Sequence, residues 1–414
     1  MLAAALDAEY GPADDSAPVE IVRAPGRVNL IGDGTDYNDG WVLPVALDLD
    51  TWIAYRRRQD GCVRVASRHS RESRSFWIDG LTPGQWTADG SAAGATSAAG
   101  ATSAAGATSA AGRPGGHWSD YVAGAAWSLR EAALPIRGFD GVVDTTMPIG
   151  AGFSSSAALE VASALALLGG ERLLSAPALA ALAQRAERDY VGVSCGIVDQ
   201  FASAAGREGR ALLLDLRSLD SRHVALPFGV RVVVCDTGSR RATHAAVDAT
   251  HRAECARAVA LLSERMPGLS SLRDLDAASL RRYRAVLPEN VASRAEHVVS
   301  ENARVVAAAA ALEAGDLGEL CRLFDESHAS LRDRYDVGSP ALDAMVEVAR
   351  AIPGVVAARM TGSGSAGCTV NLVLADAVPA LQAAVSREYD RRTGLRGRVY
   401  PVAVVDGAGS LATD

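Results

Sequence analysis

Lysine is absent from this 414-residue sequence, and all 41 basic side chains are arginine. Chemistry that needs a lysine is thereby excluded: no Schiff base, no pyridoxal attachment, no Walker-type phosphate lysine and no protein-kinase strand lysine. A GC-rich coding sequence explains the bias, and the abundance of alanine points the same way; the exclusion holds whatever the cause. Long apolar runs are also missing, since no stretch offers the ~18 uninterrupted apolar residues of a membrane span. Residues 1–9 lack a basic segment followed by an apolar core, so no secretory signal is expected. The six cysteines (Cys62, Cys195, Cys235, Cys255, Cys321 and Cys368) lie far apart, with no CxxC pair and no His–Cys cluster at zinc spacing. In a chain this long that pattern reads as reduced thiols in the cytoplasm. A formal net charge of −8 argues against a nucleic-acid or anionic-membrane surface.

With 49% hydrophobic and 22% charged residues, the chain has the balance of a globular protein with two or three cores. Residues 19–24 and 41–56 read as strands around a loop rich in Gly, Asn and Asp, with further antiparallel strands at 63–67 and 75–77. A Ser-Ala-Ala-Gly-Ala-Thr repeat then starts at Ser91, Ser97 and Ser103, with a partial copy ending at Gly112. Its period could suggest a stacked β-helix, but it has no large apolar residue to bury, so a flexible surface insertion is expected. Helices are expected at 118–130, 154–168, 177–190, 244–265, 293–314, 317–332, 339–351 and 378–392. Later strands are expected at 141–145, 230–235, 355–359, 369–374 and 398–405. Strand clusters mixed with helix pairs indicate an α+β fold of two lobes, 1–220 and 221–414.

Four stretches could carry chemistry. Gly150, Ala151 and Gly152 precede Phe153, Ser154, Ser155 and Ser156 on a strand–turn–helix pattern. The glycines allow close backbone approach to a ligand, and the serines sit where the first helical N–H groups lack partners. The helix dipole favours an anion there, so the turn can hold polyphosphate without lysine. Serine is equally a routine helix N-cap, although three in a row fit that reading less well. A loop between apolar strands gathers Arg27, Asn29, Asp33 and Asp36, the donors and acceptors that sugar hydroxyls need. Asn, Asp and Gly also favour tight turns for conformational reasons alone. Asp199, among Ile197, Val198 and Phe201, is a carboxylate in an apolar setting, with Arg27 as a candidate partner and a helix N-cap as the alternative. The fourth stretch, from Arg359 through Gly362 and Gly364 to Cys368, is a second glycine-rich turn between late strands.

Together, and in this order, the four stretches resemble the GHMP family of small-molecule kinases, and within it the galactokinase branch; Trp118, Ser119, Asp120, Tyr121 and Val122 extend the likeness. The match spans nearly all of the chain outside the repeat. The resemblance implies a two-lobed GHMP kinase fold with the active site in the cleft between lobes, ATP and Mg²⁺ as cofactors, and a small-molecule sugar as partner. It implies Asp199 as the base facing the sugar's C1 hydroxyl, with Arg27 holding that carboxylate ionised and stabilising charge that develops on oxygen. Gly150, Ala151, Gly152, Ser154, Ser155 and Ser156 would bind the ATP phosphates, with Ser156 and Glu187 around Mg²⁺. Asn29, Asp33, Gly34, Asp36, Gly196 and Asp248 would hold the sugar. Phosphoryl transfer needs mostly alignment and electrostatics, so arginine, magnesium and backbone N–H groups suffice. A monomer or weak homodimer is expected, with no nucleic-acid or membrane partner.

The sequence departs from the branch at its sugar end. Galactokinases usually carry Glu-His where this chain has Asp33-Gly34, and a tyrosine where an ungapped count back from Cys255 reaches Asp248. Ser365-Ala366 stands in place of the usual Phe-Gly. A shorter acid and a missing imidazole are expected to enlarge the pocket near C6, while the groups that transfer phosphate are in place. Retained chemistry with an altered pocket predicts a sugar 1-kinase whose substrate is bulkier beyond C5, such as a heptose or octose, with D-galactose as the alternative. A catalytically dead sugar and ATP sensor is a further alternative, disfavoured by the intact serine run and Asp199. His244 and His251 share a predicted helix and are expected to face solvent or cap it rather than to bind metal.

Overall fold

Alternate apolar positions (Val22, Ala24, Val28 and Leu30) give one face of a long strand, β1 (Glu20–Ile31), which pairs antiparallel with β2 (Trp41–Arg57). The register slips between Pro25 and Arg27 and again between Asn29 and Ile31. Such bulges bend a strand and re-aim its side chains. In the computed structural model the described residues are 2–12, 17–84, 117–148, 152–171, 173–239, 244–362 and 367–411, the side chains of 244–246 excepted. The repeat, Gly150, Ala151 and Ser365-Ala366 lie outside them.

The first sheet adds β3 (Cys62–Ser67), β4 (Glu72–Trp77), β5 (Phe139–Thr145), β6 (Arg210–Asp215) and β7 (Ser221–Ala225). A second sheet, antiparallel throughout, contains β8 (Val230–Asp236), β9 (Val355–Thr361), β10 (Cys368–Leu374) and β11 (Arg398–Val402) in the order β11-β8-β10-β9. The last strand, β12 (Gly409–Leu411), returns to the first sheet and covers the free edge of β1, giving the order β12-β1-β2-β5-β3-β4 with β6 and β7 branching from β2. A cut at 220 therefore separates β7 and β12 from the sheet they complete. The core does not respect that cut either: Val22, Leu30 and Leu43 pack in one cluster with Val232, Val234 and Leu372 of the second sheet.

Most helices fall within a few residues of expectation, and the differences matter for the site. The helix Ala176–Arg185 stops short of 190 and continues as a π-type segment, Ala186–Val191, which carries Glu187. A further helix, Val198–Ala205, follows. Its N-cap is Ile197, so Asp199 lies in the first turn instead of capping it. The helix Ser155–Leu167 is apolar on nearly every face and is buried accordingly. Strands β6, β7 and β12 and the N-terminal helix Leu2–Tyr10 are additional to expectation. Among the described residues no helix is long and apolar enough to cross a membrane, and the six cysteines are free.

Candidate active site

The bulged end of β1 turns Arg27 toward the helix Val198–Ala205. Arg27 Nε donates to Asp199 Oδ1 at 2.8 Å, and Nη2 lies 2.7 Å from the same oxygen. Its Nη1 donates to the Gly152 carbonyl at 2.9 Å, and its backbone N–H to the Phe153 carbonyl at 3.1 Å. One guanidinium thus ties the carboxylate to the glycine turn. That approach needs a glycine beside it, because a Cβ on Gly26 would fall 2.6 Å from both Phe153 O and Met147 Sδ. Ser154 adopts a left-handed backbone (φ 62°) and donates its hydroxyl to Asp199 Oδ2 at 2.5 Å. Its side chain makes no cap to the helix Ser155–Leu167, so the routine capping role does not apply to it. A helix N-terminus without a side-chain cap favours an anionic ligand.

On one side of this group, Trp118, Tyr121, Val143, Ser155, Ser156 and Leu159 line a pocket of about 300 Å³. Aromatic walls next to an uncapped helix N-terminus suit a nucleobase and its phosphates. Ser156 also hydrogen-bonds Glu187, whose carboxyl is raised by burial and by Asp199 against hydrogen bonds from Cys195, Ser156 and Gln200. Gln200 Nε2 bridges Glu187 (2.6 Å) and the fully buried Glu160 (3.0 Å). Burial, with Glu187 next, pushes Glu160 well up. A serine hydroxyl and a glutamate beside phosphate oxygens form a hard-donor set of the kind Mg²⁺ takes, and a cation there would relieve the repulsion among these carboxylates. Among the described residues no group of three or more His, Cys, Asp and Glu could hold a metal ion. The side chain of His244 is outside the described set. His251 is buried against Tyr335 and not solvent-facing as expected.

On the other side lies a cleft of about 240 Å³ that includes Arg27, Asp36, Gly196, Asp199, Asp248 and Arg252. Burial pushes Asp36 up to about 6, with Asp199 and Asp248 adding to the shift and Arg252 and a backbone hydrogen bond opposing it. Gly196 makes room for that carboxylate, since a Cβ there would lie 2.6 Å from Asp36 Oδ2. Asn29 and Asp33 line the cleft too, but Asp33 is only 5% exposed and its oxygens are committed to the protein. Oδ1 accepts from Asn29 Nδ2 (3.1 Å) and the Gly362 N–H (3.0 Å), and Oδ2 from Arg359 (2.5 Å). Arg359, fully buried, also donates to the Leu30 carbonyl at 2.8 Å and so pins the loop to β9.

These contacts correct the expected enlargement of the cleft. Asp33 is a clamp between loop and sheet. Gly34 leaves no void, because the ring tip of Tyr335 stands where its side chain would go. Arg252, Tyr335, Trp118, Tyr121, Gln200 and Glu160 join the site without having been singled out for it by sequence. Trp118 and Tyr121 had been named for the family likeness alone, and Arg252 had a usable signal of its own, lying four residues after Asp248 and hence on the same helix face.

Three family models match the chain: the galactokinase galactose-binding signature at residues 7–57, the GHMP kinase N-terminal domain at 120–207 and the GHMP kinase C-terminal domain at 308–391. A galactokinase of Roseiflexus sp. is 41% identical over 395 residues, covering 95% of this chain and 93% of that one. A galactokinase of Chloroflexus aurantiacus is 42% identical over 394 residues, with the same coverage of each. The crystal structure of Lactococcus lactis galactokinase complexed with galactose superposes with a TM-score of 0.85 at 30% identity, covering 99% of this chain and 98% of that one.

Proposed function

The chain belongs to the galactokinase family of GHMP kinases and is an ATP-dependent, Mg²⁺-using sugar kinase; from that premise we propose that it phosphorylates the C1 hydroxyl of D-galactose or a hexose of that shape. The observation that carries the reading is the Arg27–Asp199–Ser154 group, set between a nucleotide-sized pocket and a polar cleft. With the sugar in the cleft, Asp199 accepts the C1 hydroxyl proton as that oxygen bonds the γ-phosphorus, and ADP leaves as the bond to the bridging oxygen breaks. Arg27 fixes the Asp199 carboxylate through two contacts to Oδ1 and, through the Gly152 carbonyl, holds the turn in line with it. Ser156 and Glu187 would hold the magnesium ion, which supplies charge neutralisation to the phosphates. Asp36 accepts from ring hydroxyls, and Trp118 and Tyr121 flank the base.

A hexose is supported over a heptose or octose by the cleft's filled corner at Tyr335 and by the galactokinase relatives. The test is ADP release over an aldose panel, with the position of the new phosphate read by NMR. Turnover of galactose to the 1-phosphate is the expected result. Phosphate appearing on C6, or no turnover of any galacto-configured sugar, would overturn the proposal.

A further inference from the structure

We propose that Tyr335 determines how long a sugar the cleft accepts, by standing in the space that a side chain at position 34 would otherwise fill; this rests on the sugar 1-kinase reading above. Gly34 sits in a left-handed turn (φ +79°), and a Cβ built on it would lie 2.6 Å from Tyr335 Cζ and 2.8 Å from its Oη. Neither distance is tolerable between real atoms, so the loop and the ring are fitted to each other.

The ring is also held from behind. Its centroid lies 4.6 Å from that of His251 and 4.4 Å from that of His297. His297 is itself fixed, with Nε2 donating to the Asp33 carbonyl at 2.9 Å and Nδ1 accepting from Ser330 Oγ at 2.9 Å. The Tyr335 N–H donates to the Ser330 carbonyl at 2.9 Å, just beyond the helix Leu317–Asp333, and the following Asp336 has a left-handed φ of 60°. Swinging the ring away would break its contacts with both imidazoles. Only 4% of Tyr335 is exposed, and it lines the cleft that Asp36, Asp248 and Arg252 share. A side chain packed this way is a wall that does not yield to an extra carbon.

The experiment compares kcat and KM for D-galactose and for an aldoheptose with the same configuration at C2 to C5, in the wild type and in Tyr335→Phe, Tyr335→Leu and Tyr335→Ala. The wild type should favour galactose by roughly 100-fold in kcat/KM, the scale at which one carbon can be excluded. Tyr335→Ala should cut that preference at least ~10-fold, chiefly through a lower KM for the heptose. Tyr335→Phe should keep it within a few-fold. Tyr335→Leu preserves an apolar filling should the alanine variant fail to fold, and it should relax the preference part of the way. An unchanged preference in folded, active Leu or Ala variants overturns the inference, as does a wild type that prefers the heptose. Turnover of neither sugar by the wild type overturns instead the function on which the inference rests.

Discussion

Replacing Asp199 by asparagine separates catalysis from folding, because the structure assigns the two effects very different sizes. The Arg27–Asp199 pair is 16% and 32% exposed at its side chains, open enough for water to screen it. Pairs of that kind contribute about 0.2–1 kcal/mol. Asparagine keeps the shape and an oxygen that can accept from Ser154, so Tm should fall by no more than a few degrees. Turnover should respond quite differently. Without a carboxylate the C1 hydroxyl has no proton acceptor, and kcat should fall by roughly 10²–10⁴. Galactose and ATP should still bind within a few-fold, since Asp36, Asp248 and the aromatic pocket are untouched. A coupled ADP assay at saturating substrates gives kcat, calorimetric titration gives the affinities, and scanning calorimetry gives Tm. A kcat within ~10-fold of wild type would refute the base assignment. A large loss of Tm would show that Asp199 is a structural group.

The pH dependence follows from Asp36, whose carboxyl burial pushes up to about 6. Below that pH it is protonated and loses an acceptor oxygen, so kcat/KM for the sugar should fall about tenfold per unit, with no such limb in Asp36→Asn. The same shift means the folded chain holds this proton more tightly than the unfolded one, so ionisation costs stability as pH rises through about 6. Asp36→Asn should therefore be more stable than wild type by about 3 kcal/mol near neutrality, and the gain should vanish toward pH 4 in thermal melts across pH. Arg359→Met should cost about 3–5 kcal/mol in urea unfolding, because it leaves Asp33 and the Leu30 carbonyl without their buried donor. Ser156→Ala should raise the Mg²⁺ concentration needed for half-maximal rate more than it changes the KM for sugar, as a magnesium titration at fixed ATP would show.

Elements with strong local patterns were legible in sequence. The strand at 230–236 is a run of valines, and the late helices have clear apolar stripes and serine or aspartate caps such as Ser339 and Asp316. The pairing of Arg27 with Asp199, 172 residues apart, could be anticipated because an acid in an apolar setting calls for a cation. What sequence missed depends on contacts between distant segments. β12 is only three residues long and is a strand solely because β1 offers an edge. The π-type turn that carries Glu187 has no composition signal, since its extra residue reflects how the helix packs.

The sugar end shows why a missing side chain is a poor guide to a missing volume. Read along the chain, glycine at 34 and aspartate at 33 remove atoms from the loop, and a wider pocket follows. Packing does not work residue by residue: interiors are close to crystal density, and a gap lined by apolar atoms is costly to keep. The structure closes the gap from segments more than 300 residues downstream, with Tyr335, just beyond a helix, against Gly34 and Arg359, on β9, against Asp33. Both of those partners are large, almost fully buried and anchored by hydrogen bonds or ring contacts of their own. On the proposed reading, substrate size is set by the C-terminal half of the chain, although Arg27 and Asp199 come from the N-terminal half.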